Sequence, residues 1–313
     1  VSVSGIGLHS GSPVEVSLKP AKAGSGIIFR RTDLEQAAAQ RGRRIRVEIP
    51  ARLDQVSEVD HATTLSADTP VGSASVQTVE HLMAALSALA IDACVVEVDG
   101  PELPILDGSS RDWVALLQRA GRRTLPWQRP RLRIVAPKSV QVGDASIRVT
   151  PSDELRLTCS IDFPHESIGH QEISLAISAS AFETDLAAAR TFGFLHEVEQ
   201  LRRAGLARGG SLDNAVVLDE GRVLNDDGLR FADEFVRHKA LDLLGDLALI
   251  GCPLVGHVVA HRAGHRLHVA FARALVADAS CWVLEGGAMA DASAQARVAS
   301  ASRAPSLARA AAD

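Results

Sequence analysis

The chain reads as an α+β protein of two sandwich-like halves packed helix to helix, with the active site between them. Three observations predict this. Segments of strand length, alternating or continuously apolar, are interspersed with a few stretches of helical period in both halves. Each half carries one helix studded with ionisable residues, at 75–91 and at 233–252. Between the halves, residues 122–130 are basic, hold two prolines and lack any period, the mark of a linker. The predicted division is a first unit at 1–124, a second at 130–285 and a disordered tail at 286–313, rich in Ala, Ser and Arg.

Composition fixes the class. The chain has 313 residues, 46% of them hydrophobic, and a formal net charge of −5. A sizeable core is therefore available, and a nucleic-acid partner finds no basic excess to bind. Tyrosine is absent and aromatics are 4%, which argues against stacking platforms for single strands. No run reaches the roughly 18 apolar residues of a membrane span, so no stable membrane insertion is expected. Cys94, Cys159, Cys252 and Cys281 are scattered and read as buried free thiols in a reducing compartment. Val1 opens the chain inside a strand pattern, which predicts a natural start upstream of it.

In order, residues 1–3 and 14–18 alternate as strands around GIGLHSG at 5–11. The glycines permit positive φ in a turn. No helix pattern follows them, so a phosphate cradle is not indicated and a hairpin carrying His9 is expected. Residues 27–29 form a short strand ending in Arg30 and Arg31, and 35–46 have the Ala, Gln and Arg content of a surface insertion. After Thr63, Thr64 and Leu65 comes a turn-rich stretch at 68–73. In the helix at 75–91, Leu82, Met83, Ala85, Leu86 and Leu89 give an apolar face, with Ser75 or Thr78 as candidate cap. Glu80 and His81 thereby fall in its first turn. The positive end of a helix favours an ionised carboxylate and a neutral imidazole there, the forms a base and a metal ligand require. A strand at 93–98 leads into a stiff two-proline loop at 100–110, and Asp107 is expected to cap the helix at 111–120.

The second half begins with strands at 132–135, 146–150 and 155–161 and a helix at 181–189. Phe192, Phe194, Leu195, Val198 and Leu201 read by default as core packing, with an apolar slot lined by them as the alternative. Glycines 209 and 210 turn into a strand that ends near 218. The helix at 233–252 organises the rest. Phe235, Val236, Ala240, Leu243, Leu244, Leu247 and Ala248 recur at three and four, Asp233 and Glu234 suit the start, and Gly251 and Pro253 mark the stop. His238, Asp242 and Asp246 are each four apart and stack along one face. An imidazole and a carboxylate one turn apart can grip a cation. A surface helix facing water would show the same spacing. Here, however, these residues and Lys239 interrupt a helix apolar enough to be buried, where charge is costly unless paired or metal-bound. A third ligand and a base must come from elsewhere. A strand at 254–260 follows, and His265, after Gly264 on the loop at its end, is a candidate acid–base group.

These residues carry a family resemblance. GIGLHSG at 5–11, TVEH at 78–81, PILDGS at 104–109, RTFGF at 190–194, GGS at 209–211, VLN at 223–225, GLRF at 228–231, FVRHK at 235–239, Asp242, GDL at 245–247 and GH at 264–265 occur in the order of the UDP-3-O-acyl-N-acetylglucosamine deacetylases of lipid A synthesis, which the chain resembles. FVRHK is the most specific block; TVEH alone would be weak. The resemblance implies zinc ligands at His81, His238 and Asp242, a general base at Glu80, and a general acid at His265 oriented by Asp246. It further implies that Thr191 and Lys239 position substrate and stabilise the oxyanion, and that Phe192 touches substrate. The insert at 190–220, with Phe194, Leu195 and Leu201, would form the acyl-chain passage. The implied fold is two α+β sandwiches packed helix to helix. The implied cofactor is Zn2+, although Fe2+ suits the same ligands. The implied substrate is a UDP-acyl-amino sugar, cleaved by a cytoplasmic monomer to acetate and the free amine. Residues 35–46, the turn at 68–73, the tail and His268, where the family usually has Asn, depart from the pattern. Two alternatives share these features: a zinc amidohydrolase acting on another N-acyl amino sugar, and a non-catalytic metal- or nucleotide-binding relative. A binder needs neither Glu80 nor His265.

Overall fold

The computed structural model describes residues 1–126 and 128–286; of the tail expected at 286–313, all but Gly286 lies outside the described residues. The first half opens with the hairpin expected from its glycine turn. β1 (Ser2–Ile6) pairs antiparallel with β2 (Pro13–Pro20), Ser2 opposite Ser17 and Ile6 opposite Pro13. Val14, Val16 and Leu18 of β2 are buried while Glu15 and Lys19 are exposed, the alternation of a sheet with one wet face. β3 (Ile27–Arg31), α1 (Thr32–Gln40) and β4 (Glu48–Pro50) follow. A 3-10 turn at Leu53–Gln55 then leads to β5 (Val56–Glu58), β6 (Thr64–Thr69) and β7 (Gly72–Val76). α2 (Glu80–Ala88), β8 (Cys94–Val98) and α3 (Arg111–Ala120) complete the half. The main sheet runs β1-β2-β8-β3-β4, and β5, β6 and β7 form a small antiparallel sheet beside it.

The second half contains β9 (Arg131–Ile134), β10 (Lys138–Val142), β11 (Ala145–Thr150), β12 (Leu155–Phe163) and β13 (Gly169–Ala176). A short α4 (Ala179–Ala181) runs into a π turn at Phe182–Leu186. β14 (Phe192–Phe194), α5 (Leu195–Arg203), β15 (Val216–Asp219) and β16 (Arg222–Val223) build a separate insert. α6 (Glu234–Ala248), β17 (Leu254–His261), α7 (His265–Ala277) and β18 (Trp282–Glu285) close the chain as described. The large sheet runs β10-β11-β17-β12-β13, with β9 joined to β17 and β18 to β9.

The mixture of helices and sheets is the α+β fold the sequence predicts. α6 packs on α2 from the first half and also on α7 and β12. His238, Asp242 and Asp246 are all buried, so the surface-helix reading does not apply. Gly245 sets the approach of the two helices: a Cβ at that position would overlap the backbone carbonyl of Glu80 on α2. All four cysteines are buried. Burial pushes Cys94 up to about 11 and Cys159 up to about 12, so neither thiol is a nucleophile near neutrality.

Several local expectations are corrected. His265 is not on a loop; it is the first residue of α7, after an extended Gly264. Part of the surface insertion at 35–46 is helical in α1, which buries only Ala38. Neither Ser75 nor Thr78 caps α2, whose N-cap position is Val79 with no side-chain bond; the Thr78 hydroxyl instead donates to Glu102 at 3.3 Å. Asp107 does not cap α3, where the cap position is Ser110. It accepts from the Ser109 N–H and hydroxyl and pairs with Arg230 and Arg111 at 2.8 and 2.9 Å. β10 and β13 escape the sequence reading because both hold few apolar residues and neither has a fully buried one.

Gly245→Ala is expected to destabilise the protein by about 1–3 kcal/mol, the usual cost of forcing a methyl into a closed contact. Denaturant unfolding measures it, and an unchanged midpoint would show that α2 and α6 have room to separate.

Candidate active site

Two neutral imidazoles and one carboxylate converge where α2 meets α6. His81 comes from the first turn of α2, His238 and Asp242 from successive turns of α6, and their nearest ligand atoms all lie within 4.8 Å of one another. Asp242 Oδ1 is 3.3 Å from His238 Nε2 and 3.7 Å from His81 Nε2. The two rings stand edge to face with centroids 5.1 Å apart. Burial lowers the His81 pKa to about 3, with His238 adding to the effect. Burial also lowers His238, against the pull of Asp242. Both rings are therefore uncharged at neutral pH. His238 Nδ1 faces the Ala189 carbonyl at 3.0 Å; a carbonyl only accepts, so Nδ1 holds the proton and Nε2 presents its lone pair. Burial works against ionisation of Asp242, but His238, Lys239 and His265 outweigh it and hold its carboxyl well below the usual range. Its Oδ2 accepts from Lys239 Nζ at 2.8 Å, while Oδ1 is buried without a hydrogen-bond partner. Lone pairs directed at one point repel, and a buried orphan acceptor is costly. A divalent cation removes both penalties, and the donor set of two imidazoles and a carboxylate suits zinc with one position left open.

A second cluster stands beside the first. Asp246, one turn further along α6, accepts from Nδ1 of His265 at 2.7 Å and from Nδ1 of His268 at 2.8 Å. Because both nitrogens are spent on hydrogen bonds, this set is an orienting network rather than a ligand set. Burial opposes the charge on His265, yet Asp246 and Asp242 prevail and push it up to about 10. Its Nε2 faces Glu80 Oε1 and Asp242 Oδ2, each at 3.9 Å. Burial raises the Glu80 carboxyl to about 7; the His265 charge opposes this and Asp242 reinforces it. A carboxylate and an imidazolium with pKa values displaced in this way are suited to taking and giving a proton.

A cavity of about 470 Å³ opens on both clusters. Thr191, Phe192, Leu195, Leu201 and Lys239 line it together with Glu80, His81, His238, Asp242 and His265. Val198, Val217 and Leu212 give its far end an apolar wall. Phe194 turns away, packing on Phe163, His165 and His196 at 5.5–5.9 Å between centroids. Lys239 Nζ sits 5.6 Å from the centre of the Phe192 ring. His9 also lines the cavity, and both its ring nitrogens are buried without partners. A larger cavity of about 940 Å³ lies at the C-terminal ends of α2 and α6, where no acid–base cluster converges, so size does not select the site. Sequence reading gave no role to Thr63 or His268. A threonine ahead of a strand and one histidine among several carry no spacing signal; only the folded contacts reveal them.

The chain is similar to known deacetylases along most of its length. The family described as UDP-3-O-acyl N-acetylglycosamine deacetylase matches residues 1–277. A protein of Anaeromyxobacter sp. (strain Fw109-5) is 46% identical over 281 residues, covering 90% of this chain and 88% of the relative. One from Myxococcus xanthus (strain DK1622) is 46% identical over 283 residues, 90% and 85% of the two chains. One from Idiomarina loihiensis (strain ATCC BAA-735 / DSM 15497 / L2-TR) is 45% identical over 284 residues, 90% and 89%. All three are named UDP-3-O-acyl-N-acetylglucosamine deacetylase.

The two clusters separate experimentally. After dialysis against buffer, Asp242→Ala is expected to lose bound divalent metal, measured by elemental analysis, and Asp246→Asn to retain it. Equal retention in both variants would remove Asp242 from the ligand set.

Proposed function

The chain belongs to the UDP-3-O-acyl N-acetylglycosamine deacetylase family, a metal-dependent hydrolase of an amide bond, and we propose that His81, His238 and Asp242 hold the zinc ion with which it deacetylates UDP-3-O-acyl-N-acetylglucosamine in lipid A biosynthesis. The observation that carries the ligand assignment is the partnerless Asp242 Oδ1 facing the Nε2 atoms of two uncharged imidazoles. Fe2+ suits the same donors. A cation there supplies Lewis acidity, making water more acidic and polarising a carbonyl.

The chain's own residues supply the proton path. Glu80 as carboxylate takes a proton from the attacking water. His265 as imidazolium gives a proton from Nε2 to the leaving nitrogen, so the amide and water become acetate and a free amine. Asp246 fixes the ring by holding Nδ1 and keeps it charged. Thr191 and Lys239 border the space in which charge develops on the carbonyl oxygen, where preorganised donors act most strongly. The apolar walls from Phe192, Leu195, Val198 and Leu201 suit an acyl chain and exclude water. In this reading 1–124 and 130–285 are the two units that bring α2 to α6. No described helix is long and apolar enough to cross a membrane, and the reading places the enzyme as a monomer in the cytoplasm.

Glu80→Gln is expected to lower kcat by about a hundredfold or more, the usual share of a general base, with metal content unchanged; near-normal turnover would reject the assignment. The pH profile has a defined sign. The base works deprotonated, so kcat/KM rises as pH passes about 7. The acid works protonated, so kcat/KM falls as pH passes about 10. The charge of the cation favours anionic Glu80 and disfavours cationic His265, which moves both limbs downward. His265→Ala should abolish the alkaline limb, and an unaltered profile would exclude it as the acid.

A further inference from the structure

Thr63 lies just ahead of β6, is fully buried, and directs its polar groups to the two central helices. Its backbone N–H donates to Glu80 Oε2 at 3.1 Å. Its carbonyl accepts the N–H of Val79, the residue before α2, at 3.3 Å. Its hydroxyl is 2.6 Å from Asp246 Oδ1 and 3.4 Å from His265 Nδ1. That hydroxyl has one proton to give. His265 Nδ1 already donates to Asp246 Oδ2 and has no lone pair to offer, so the proton goes to Asp246 Oδ1. Asp246 thus takes donors from Thr63, His265 and His268, and an ionised carboxylate in a fully buried position is fully satisfied.

We propose that Thr63 is a positioning residue for the hydrolysis, one that fixes the proton acceptor Glu80 and the proton donor His265 relative to each other. The backbone amide holds the base on α2. The hydroxyl holds the α6 carboxylate that aims the acid on α7. One short segment therefore ties together three elements that are distant in sequence. The division of labour demands such a tie: one group must reach the water and the other the leaving nitrogen, and misplacement of about 1 Å between reacting groups costs about a hundredfold in rate. The proposal rests on the roles of Glu80 and His265 given above. The Val79 contact is made by backbone alone, so a change of side chain leaves it in place and isolates the hydroxyl.

The test is steady-state kinetics of the metal-loaded full chain on UDP-3-O-acyl-N-acetylglucosamine. Thr63→Val keeps the shape and removes the donor, and kcat is expected to fall about tenfold or more while KM stays within about twofold, the signature of lost alignment rather than lost binding. Thr63→Ser keeps the donor and should stay within about threefold of the parent. In an Asp246→Asn background the Val change should add less than about twofold, because the hydroxyl acts through that carboxylate. Should the Val variant not fold, Thr63→Ala against Thr63→Ser makes the same comparison in a smaller side chain. Unchanged kcat in Thr63→Val, a Ser variant as slow as Val or Ala, or undiminished loss in the Asp246→Asn background would each overturn the proposal. If Glu80→Gln and His265→Ala also turn over normally, the functional reading itself fails; if they collapse while Thr63→Val does not, only this inference falls.

Discussion

Packing of α6 on α2 at Gly245 is the constraint from which the site follows. The missing Cβ lets α6 come against the backbone of Glu80, so Asp242 and His238, about one and two turns before that contact, reach the first turn of α2. His81, His238 and Asp242 then meet without room for water-separated spacing. The cost of this convergence is electrostatic: a lone pair and a buried carboxylate oxygen point at one another, a repulsion that a cation relieves. The same approach gives the protein a reason to bury His238 and Asp242 on a largely apolar helix.

The acid–base pair obeys the opposite logic. Around the ligand cluster, burial prevails on the imidazoles and keeps them uncharged. Around Asp246, a carboxylate in direct contact prevails over burial and keeps His265 charged. Two histidines a few ångströms from the same helix are thereby driven to opposite protonation states, one kind fit to hold metal and the other to donate a proton. The contrast depends on what Nδ1 meets: a neutral backbone carbonyl at His238, a carboxylate at His265. Neighbouring contacts of this sort orient a ligand or an acid as much as its own position does.

Much of this was legible in the sequence, for reasons that can be named. The His238–Asp242–Asp246 spacing is a helical period and needs no tertiary knowledge to place on one face. Glu80 and His81 followed from an apolar helix pattern that begins beside them. What linked the two segments was family resemblance, since no local property of His81 says that it meets His238. α7 was missed because its start, only three residues after a strand, carries no acidic residue or side-chain cap. The failed caps at Ser75, Thr78 and Asp107 share a cause: each side chain of known partner is engaged by tertiary contacts, Thr78 by Glu102 and Asp107 by Arg230, which local capping preference cannot anticipate. Phe194 was grouped with Phe192 by adjacency, yet it faces the aromatic cluster of Phe163 and His165. Thr63 shows the limit most clearly, because its contacts reach residues 16 to 202 positions away.

The central claim is that one cation is held between the two helices by His81, His238 and Asp242. Anomalous diffraction at the zinc edge, from crystals of the zinc-loaded protein, tests it most directly. The account predicts a peak about 2.0–2.2 Å from His81 Nε2, His238 Nε2 and Asp242 Oδ1. A zinc peak among Asp246, His265 and His268 with none at the first cluster would contradict it.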